Sequence, residues 1–376
     1  MKKIFIIILT MAALCVSCNM GKNKSFRPGE LFLDNNGVHI NAHGGGMLYN
    51  NGKYYWFGEH KTEGDEGNVA NVGVHCYSST DLYNWTDEGI ALQVAPEGSG
   101  SDIEKGCILE RPKVIYNAQT GKYVMWFHLE PKGQGYTGAM SGVAEADKVT
   151  GPYNFLHAGR ANVGFWPTNV LERHKKETLA EGQQFSGGWL PQGSDSLNLI
   201  GRDFQVGQMA RDMTLFVDDD GKAYHIYSSE ENSTLHIALL TEDYTEHAGV
   251  YSRQFVDRFM EAPAMFKHKG KYYLMMSGCS GWAPNQARSA VADSILGPWT
   301  ELGDPCINDT TKTTFYSQST HILPVQGMTD YYIYMGDRWT PENAIDGRYI
   351  WLPIEFNEQG QFKIKWIDEW KMKIKN

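Results

Sequence analysis

One short pattern recurs five times along this chain and limits the folds that it can adopt. Each copy is an aromatic-rich stretch, in four cases after a Gly-Lys turn, and the copies are marked by Tyr54, Tyr123, Tyr224, Tyr272 and Tyr331. Apolar segments flank each stretch, so three strands can be read per unit, with a less regular fourth. We therefore predict an all-β fold, a five-bladed β-propeller. A β-sandwich is the competing architecture, but it gives no reason for five similar units.

The spacing of the five copies is uneven, and the widest gap precedes Tyr224. We therefore expect an insertion between the second and third blades, at about Ala161 to Gln208. A disulfide within the propeller is possible, but the spacing of its cysteines assigns no pair and matches no metal motif. These cysteines are Cys76, Cys107, Cys279 and Cys306.

The N-terminal residues predict export. Two lysines precede an apolar run from Ile4 to Val16, which is the pattern of a signal peptide. A small residue, Ser17, precedes Cys18, as at the lipidation site of a bacterial lipoprotein. We expect a signal peptide over 1–17, a tether over 18–25 and a single propeller over 26–376, located in the periplasm or outer membrane. Plain secretion is the alternative.

Composition excludes two other classes of protein. With 41% hydrophobic residues among 376, the chain can bury a large core, which excludes intrinsic disorder. A formal charge of -10 leaves no basic surface for a phosphate backbone, so we expect no nucleic-acid partner. The 20 Tyr and 11 Trp suit strands and surfaces that stack on sugar rings.

Alignment of the five units places a polar residue at the start of each predicted innermost strand. These residues are His43, Glu110, Asp212, Glu261 and Gln318. Because innermost strands converge on the propeller axis, the five side chains should form a ring at one mouth of the channel, with three carboxylates among them. Gathered carboxylates repel one another and shift each other's pKa, which favours a functional role.

Carboxylates in a groove rich in aromatic residues suit glycoside hydrolysis. One protonated acid serves the leaving oxygen while a second group handles the water. A neighbouring anion raises the pKa of the acid, so that it holds a proton near neutral pH.

Several motifs resemble glycoside hydrolase family 43 over nearly all of the predicted propeller. They include Glu261-Ala262-Pro263 and the Gly-Pro-aromatic turns at Gly151 and Gly297. Others resemble the family's exo-β-1,3-galactanase branch, namely Asn41-Ala42-His43-Gly44-Gly45-Gly46, Leu109-Glu110-Arg111-Pro112-Lys113 and Ser317-Gln318-Ser319-Thr320. The resemblance implies an exo-acting, inverting hydrolase that releases galactose from β-1,3-galactan.

The resemblance also implies roles for the ring residues. Glu261 matches the general acid and Asp212 the residue that tunes its pKa. The family's usual first-blade Asp is absent, since that stretch contains His43. In the galactanase branch Gln318 matches the residue that holds the attacking water, with Glu110 beside it. The residues expected to bind substrate are His43, Glu59, Tyr136, Asn232 and Trp282.

Other functions remain open from the sequence. Relatives in the family include α-L-arabinofuranosidases and β-D-galactofuranosidases, and a sugar-binding propeller without turnover is the alternative of another class. We expect Arg111 and Arg211 to be charge partners of the ring carboxylates. No cofactor or required metal is expected. The expected partner is an oligo- or polysaccharide, with membrane contact only through a lipid at Cys18.

Overall fold

A computed structural model describes residues 23–178 and 197–373. The predicted signal peptide, the proposed lipidation site at Cys18 and much of the tether lie outside the described residues. The strands are β1 (His43–Asn50), β2 (Lys53–Lys61), β3 (Asn71–Ser79), β4 (Thr86–Gln93), β5 (Ile108–Asn117), β6 (Lys122–Glu130), β7 (Met140–Ala146), β8 (Asn154–Gly159), β9 (Met213–Val217), β10 (Ala223–Ser229), β11 (Thr234–Leu240), β12 (His247–Gln254), β13 (Met260–His268), β14 (Lys271–Gly278), β15 (Arg288–Ala292), β16 (Thr300–Gly303), β17 (Cys306–Ile307), β18 (Gln318–Pro324), β19 (Tyr332–Arg338), β20 (Arg348–Phe356) and β21 (Phe362–Lys365). A short helix, α1 (Leu199–Arg202), lies between β8 and β9.

The strands form five sheets, which confirms the predicted five-bladed propeller. Four sheets are four-stranded antiparallel meanders, and the fifth consists of β18 to β21 with the short β17 added in parallel to β21. The first strand of each meander is innermost, and β1, β5, β9, β13 and β18 contact one another in turn around the axis. The start of each innermost strand therefore lies near the same end of the channel.

Five apolar clusters explain why the repeated stretches are rich in aromatic residues. Each cluster fills the seam between two neighbouring blades. Trp56 of β2, for example, packs against Trp351 of β20 with ring centroids 4.8 Å apart. Because a middle strand is buried on both faces, it reads as a nearly continuous apolar run rather than an alternating one. Burial of each large side chain contributes about 1.5–3 kcal/mol.

The predicted insertion lies between β8 and β9. Ala161 and Gln208 pair at its base through two backbone hydrogen bonds. Beyond that base the segment runs beside the outer strand of the third blade, where the Thr168 amide donates to the carbonyl of Tyr251. The described part of the insertion is therefore packed on the third blade.

The two ends of the described chain meet and close the ring. Phe26 and Trp370 exchange two backbone hydrogen bonds, and their rings lie 4.4 Å apart between the first and fifth blades. The four cysteines of the described residues are all free, so none of the possible disulfides forms among them. Within the described ranges, no helix has the length and apolar character needed to span a membrane.

Candidate active site

A repeated irregularity of the innermost strands shapes the channel mouth. The register shifts by a β-bulge directly after His43, Glu110 and Glu261. The next residue in each case has a left-handed backbone: φ is 58° at Gly44, 54° at Arg111 and 54° at Ala262. A bulge turns a side chain away from its regular direction and is common next to active sites.

A cavity of about 280 Å³ lies at this mouth. Eight of the nine predicted site residues line it, namely Glu59, Glu110, Tyr136, Asp212, Asn232, Glu261, Trp282 and Gln318. The same cavity is lined by Asn68, Arg111, His128, Arg211, Gly281 and Trp339. The structure thus gathers side chains from all five blades around one space.

The ninth predicted residue, His43, does not line the cavity. Its side chain is fully buried and packs 5.5 Å from the ring of Trp339 and 5.9 Å from that of Tyr349. The ring therefore lies in the seam with the fifth blade, against Trp339. A role of His43 in substrate binding stays a prediction.

Glu261 has the surroundings of a carboxyl group that keeps its proton. Burial and the neighbouring Asp212 charge raise its pKa to about 8, against the opposing effect of the Arg111 charge. Asp212 is fixed by the backbone amide of Ala262, which donates to its Oδ2 at 3.0 Å. Glu261 can therefore donate a proton to a leaving oxygen at neutral pH.

The Arg111 guanidinium connects the groups around Glu261. Its Nε lies 2.9 Å from Asp212 Oδ2, and its Nη2 donates to Gln318 Oε1 at 2.5 Å. The amide nitrogen of Gln318 donates to Glu261 Oε1 at 3.1 Å and to Ser277 Oγ at 2.9 Å. This arrangement fixes both ends of the Gln318 amide, and a carbonyl oxygen that already accepts from a guanidinium is a poor proton acceptor.

Glu110 lies in the same cavity but is kept ionised. Burial alone would raise its pKa, but bonds from His128 (2.8 Å) and the Tyr136 hydroxyl (2.8 Å) outweigh it and lower the pKa to about 2. The second nitrogen of His128 lies 3.0 Å from Glu130. Although burial opposes it, this pair of carboxylates raises the pKa of His128 to about 9, so the ring is an imidazolium.

One group of donor atoms in the cavity has the spacing of a metal site. Glu110, His128 and Asp212 each place one atom within 4.8 Å of the others. Each of these atoms is already engaged, because His128 donates to two carboxylates and Asp212 pairs with Arg111. An imidazolium has no free lone pair for a cation. The donor set therefore fits an ion-pair network better than a metal site.

Hydrogen bonds between neighbouring blades fix the backbone around the site. The left-handed residue of each bulge donates its backbone N–H to a carboxylate of the preceding blade: Gly44 to Asp337 at 2.6 Å, Arg111 to Glu59 at 2.8 Å and Ala262 to Asp212. Glu59 also pairs with buried Lys61 at 2.9 Å. Its two oxygens are thus engaged, although the side chain borders the cavity.

Aromatic and amide side chains form the rim. Trp282 is 39% exposed and meets Trp339 edge to face at 5.6 Å. Asn232 accepts a hydrogen bond from Arg211 at 3.2 Å, and Tyr136 is 42% exposed. Exposed aromatic faces beside hydrogen-bonding groups are suited to bind sugar rings.

Sequence reasoning missed His128, Lys61, Asp337 and Trp339, which lie on or just after second strands rather than at the start of innermost ones. A usable signal existed for His128. It pairs in register with Glu110 and alternates with Glu130 on the same strand, so the three side chains share one face.

Comparison with known proteins agrees with this geometry. The family model for glycosyl hydrolases family 43 matches residues 165–362. A solved family 43 β-1,3-galactosidase, in a structure with galactodeoxynojirimycin, is 50% identical, with coverage of 92% of this chain and 100% of that one and a TM-score of 0.85. The chain belongs to glycoside hydrolase family 43.

Two further relatives share this fold and family. An exo-β-1,3-galactanase from Clostridium thermocellum is 35% identical over 92% of this chain and 66% of that one, with a TM-score of 0.74. An exo-β-1,3-galactanase variant from Phanerochaete chrysosporium, in a structure with β-1,3-galactotriose, is 31% identical over 93% of this chain and 69% of that one, with a TM-score of 0.73. This chain is accordingly a glycoside hydrolase with a carbohydrate substrate.

The curated relative is more distant. A β-D-galactofuranosidase from Aspergillus niger is 29% identical over 160 residues, which cover 41% of this chain. The match spans 45% of the length of that protein.

The Asp212 charge predicts a specific change in pH dependence. Glu261 acts as an acid only while protonated, so activity should fall as the pH rises through its pKa of about 8. Asp212→Asn removes the neighbouring negative charge and lowers that pKa, so the alkaline limb of kcat/KM should move to lower pH. Asparagine can still accept from Ala262 and Arg111, which keeps the geometry. An alkaline limb that does not move would assign Asp212 a purely structural role.

The fixed amide of Gln318 gives a second prediction. Gln318→Ala should lower kcat by roughly two to four orders of magnitude, because the group that orients the water is lost. Gln318→Glu should keep more activity than Gln318→Ala, since a carboxylate is a true base at the same position. Its added charge should also move the alkaline limb to higher pH. Steady-state kinetics over a pH range tests both variants, and normal turnover by Gln318→Ala would refute a role for the amide.

Proposed function

We propose that this chain is an exo-acting, inverting hydrolase that releases galactose from the non-reducing end of β-1,3-galactan. The observation that carries the proposal is the position of Glu261, a half-buried carboxyl group that accepts from Gln318 and lies with Asp212 in one cavity. The raised pKa of Glu261 supports its role as the acid. Its support in sequence is 50% identity over the full length of a solved β-1,3-galactosidase.

The side chains of the cavity have different roles in the proposed reaction. Glu261 donates its proton to the oxygen of the scissile bond, and the Asp212 charge keeps that proton in place until it is needed. Gln318 orients a water molecule, since Arg111 and Ser277 fix its amide. Glu110, an ionised carboxylate of the same cavity, assists removal of the proton of that water as the new bond forms, although its bonds from His128 and Tyr136 make it a weak base. Trp282 and Tyr136 offer surfaces for the sugar.

Product analysis tests this function. Wild-type protein with linear β-1,3-galactan should release galactose from the first time point, without intermediate oligosaccharides. Inversion at a β-linkage gives α-galactose first, which NMR detects before mutarotation. Glu261→Gln should lower turnover by roughly two to four orders of magnitude while keeping galactose binding. Release of arabinose from arabinan, of galactofuranose from its glycosides, or of the β-anomer would overturn the proposal.

We also propose that the chain is exported and held on a membrane by a lipid on Cys18. The support is the sequence alone: a lysine pair, an apolar run and Ser17 before Cys18. Secretion without a lipid is the alternative.

Membrane fractionation tests the anchor. In cells that express the full chain, the wild-type protein should sediment with membranes, and Cys18→Ala should move it to the soluble fraction. Cys279→Ala controls for loss of a thiol elsewhere in the chain. Equal membrane association of wild type and Cys18→Ala would refute the anchor.

A further inference from the structure

Among the described residues of the insertion between the second and third blades, Arg202 contacts the wall of the cavity through an ion pair. Arg202, the last residue of α1, donates from Nη1 to Glu231 Oε1 at 2.9 Å. Its other nitrogens bind Asp203, with Nε and Nη2 each 2.7 Å from a carboxylate oxygen. Asp203 is 2% exposed, so the guanidinium is fixed within the insertion and presented to the third blade.

Glu231 belongs to a strained turn. It lies in the loop between β10 and β11, where Glu230, Glu231 and Asn232 have φ values of 50°, 57° and 66°. Left-handed backbone is unfavourable for residues other than glycine, and three in succession persist only when their surroundings fix them. Here the two carboxylates fix the turn. Glu230 forms a bidentate ion pair with Arg253 at 2.7 and 2.6 Å, and Glu231 binds Arg202.

The second oxygen of Glu231 continues the chain of contacts into the cavity. Arg211 Nη2 lies 3.3 Å from Glu231 Oε2 and donates to the backbone carbonyl of Tyr136 at 2.8 Å. Arg211 Nη1 donates to Asn232 Oδ1 at 3.2 Å. Arg211, Asn232 and Tyr136 all line the cavity. The Glu231 carboxylate therefore connects the insertion to three residues that line the cavity.

We propose that Arg202 is a positioning residue through which the insertion sets affinity for the sugar in this cavity. It acts through Glu231 on Arg211 and Asn232, which line the cavity. The acid and the water-orienting amide are fixed separately, because Arg111 binds Asp212 and Gln318 without contact to Arg202. Glu110 accepts from Tyr136, but it is also held by His128, which lies outside this route. Loss of Arg202 should therefore weaken substrate binding and leave the chemical step nearly intact. This inference rests on the proposed glycosidase site but not on the identity of its sugar.

Four variants test this route. Arg202→Gln removes the charge-assisted bonds, Arg202→Lys keeps a charge near Glu231, and Glu231→Gln breaks the link from its other side. The double variant Arg202→Gln with Glu231→Gln completes a cycle. Arg258→Gln is the matched control, since it breaks an exposed pair with Glu301 of 2.8 and 2.9 Å away from the cavity. Each protein is assayed on whichever glycoside the wild type cleaves, with thermal melting to confirm folding.

We expect Arg202→Gln and Glu231→Gln each to raise KM about tenfold, with kcat changed less than twofold and the pH profile unmoved. Arg202→Lys should recover most of the affinity. In the Glu231→Gln background, Arg202→Gln should have almost no further effect, because both act on one link. Should Arg202→Gln fail to fold, Arg202→Lys and Glu231→Gln still give the comparison.

Three results would overturn the inference. The first is a KM of Arg202→Gln or Glu231→Gln within twofold of wild type, and the second is a double variant whose KM rises by the product of the two single effects. The third is a rise in KM for Arg258→Gln as large as that for Arg202→Gln. A wild type that prefers arabinofuranosides would refute the galactan proposal but leave the ratios of variant to wild type, and hence this test, intact.

Discussion

The guanidinium of Arg111 is the interaction on which the site depends. The residue is 5% exposed. Its side chain binds Asp212 of the third blade and, in the fifth blade, the side-chain oxygen of Gln318 and the backbone carbonyl of Ser319. The backbone N–H of Arg111 donates to Glu59 of the first blade. Removal of a buried cation with so many partners would leave their charges and dipoles unpaired. The same cation moderates the repulsion between Asp212 and Glu261, so the side chain that joins the blades also sets the proton affinity of the site.

Two carboxyl groups of one cavity have opposite states because their neighbours differ. Glu261 has an anion beside it and accepts from the weak amide and thiol donors of Gln318 and Cys279, whereas Glu110 accepts from an imidazolium and a phenol. The pKa values of about 8 and about 2 separate a protonated acid from an ionised carboxylate at neutral pH. His128 is essential to this difference, since its charge is itself stabilised by Glu130 from behind.

The sequence allowed the prediction of those parts of the molecule that follow from the repeat. Alignment of five aromatic stretches located the innermost strands, and the residues at their starts, Glu110, Asp212, Glu261 and Gln318, do border one cavity. His43 has the equivalent position, but its ring is buried against Trp339 and Tyr349, because equivalence along the chain does not determine the direction of a side chain. Ion pairs across blades, such as that of Arg202 with Glu231, depend on the packing of an insertion that has no counterpart in the other units.

The position of Gln318 also bears on what the site would lose without the fifth blade. Gln318 begins β18, and Trp370, which pairs with Phe26, follows β21, so both lie after the other four blades along the chain. Glu110, Asp212 and Glu261 all precede them. A chain cut before β18 would therefore keep these three carboxyl groups, but Glu261 would lack its amide donor and the ring would lack the pairing of Phe26 with Trp370.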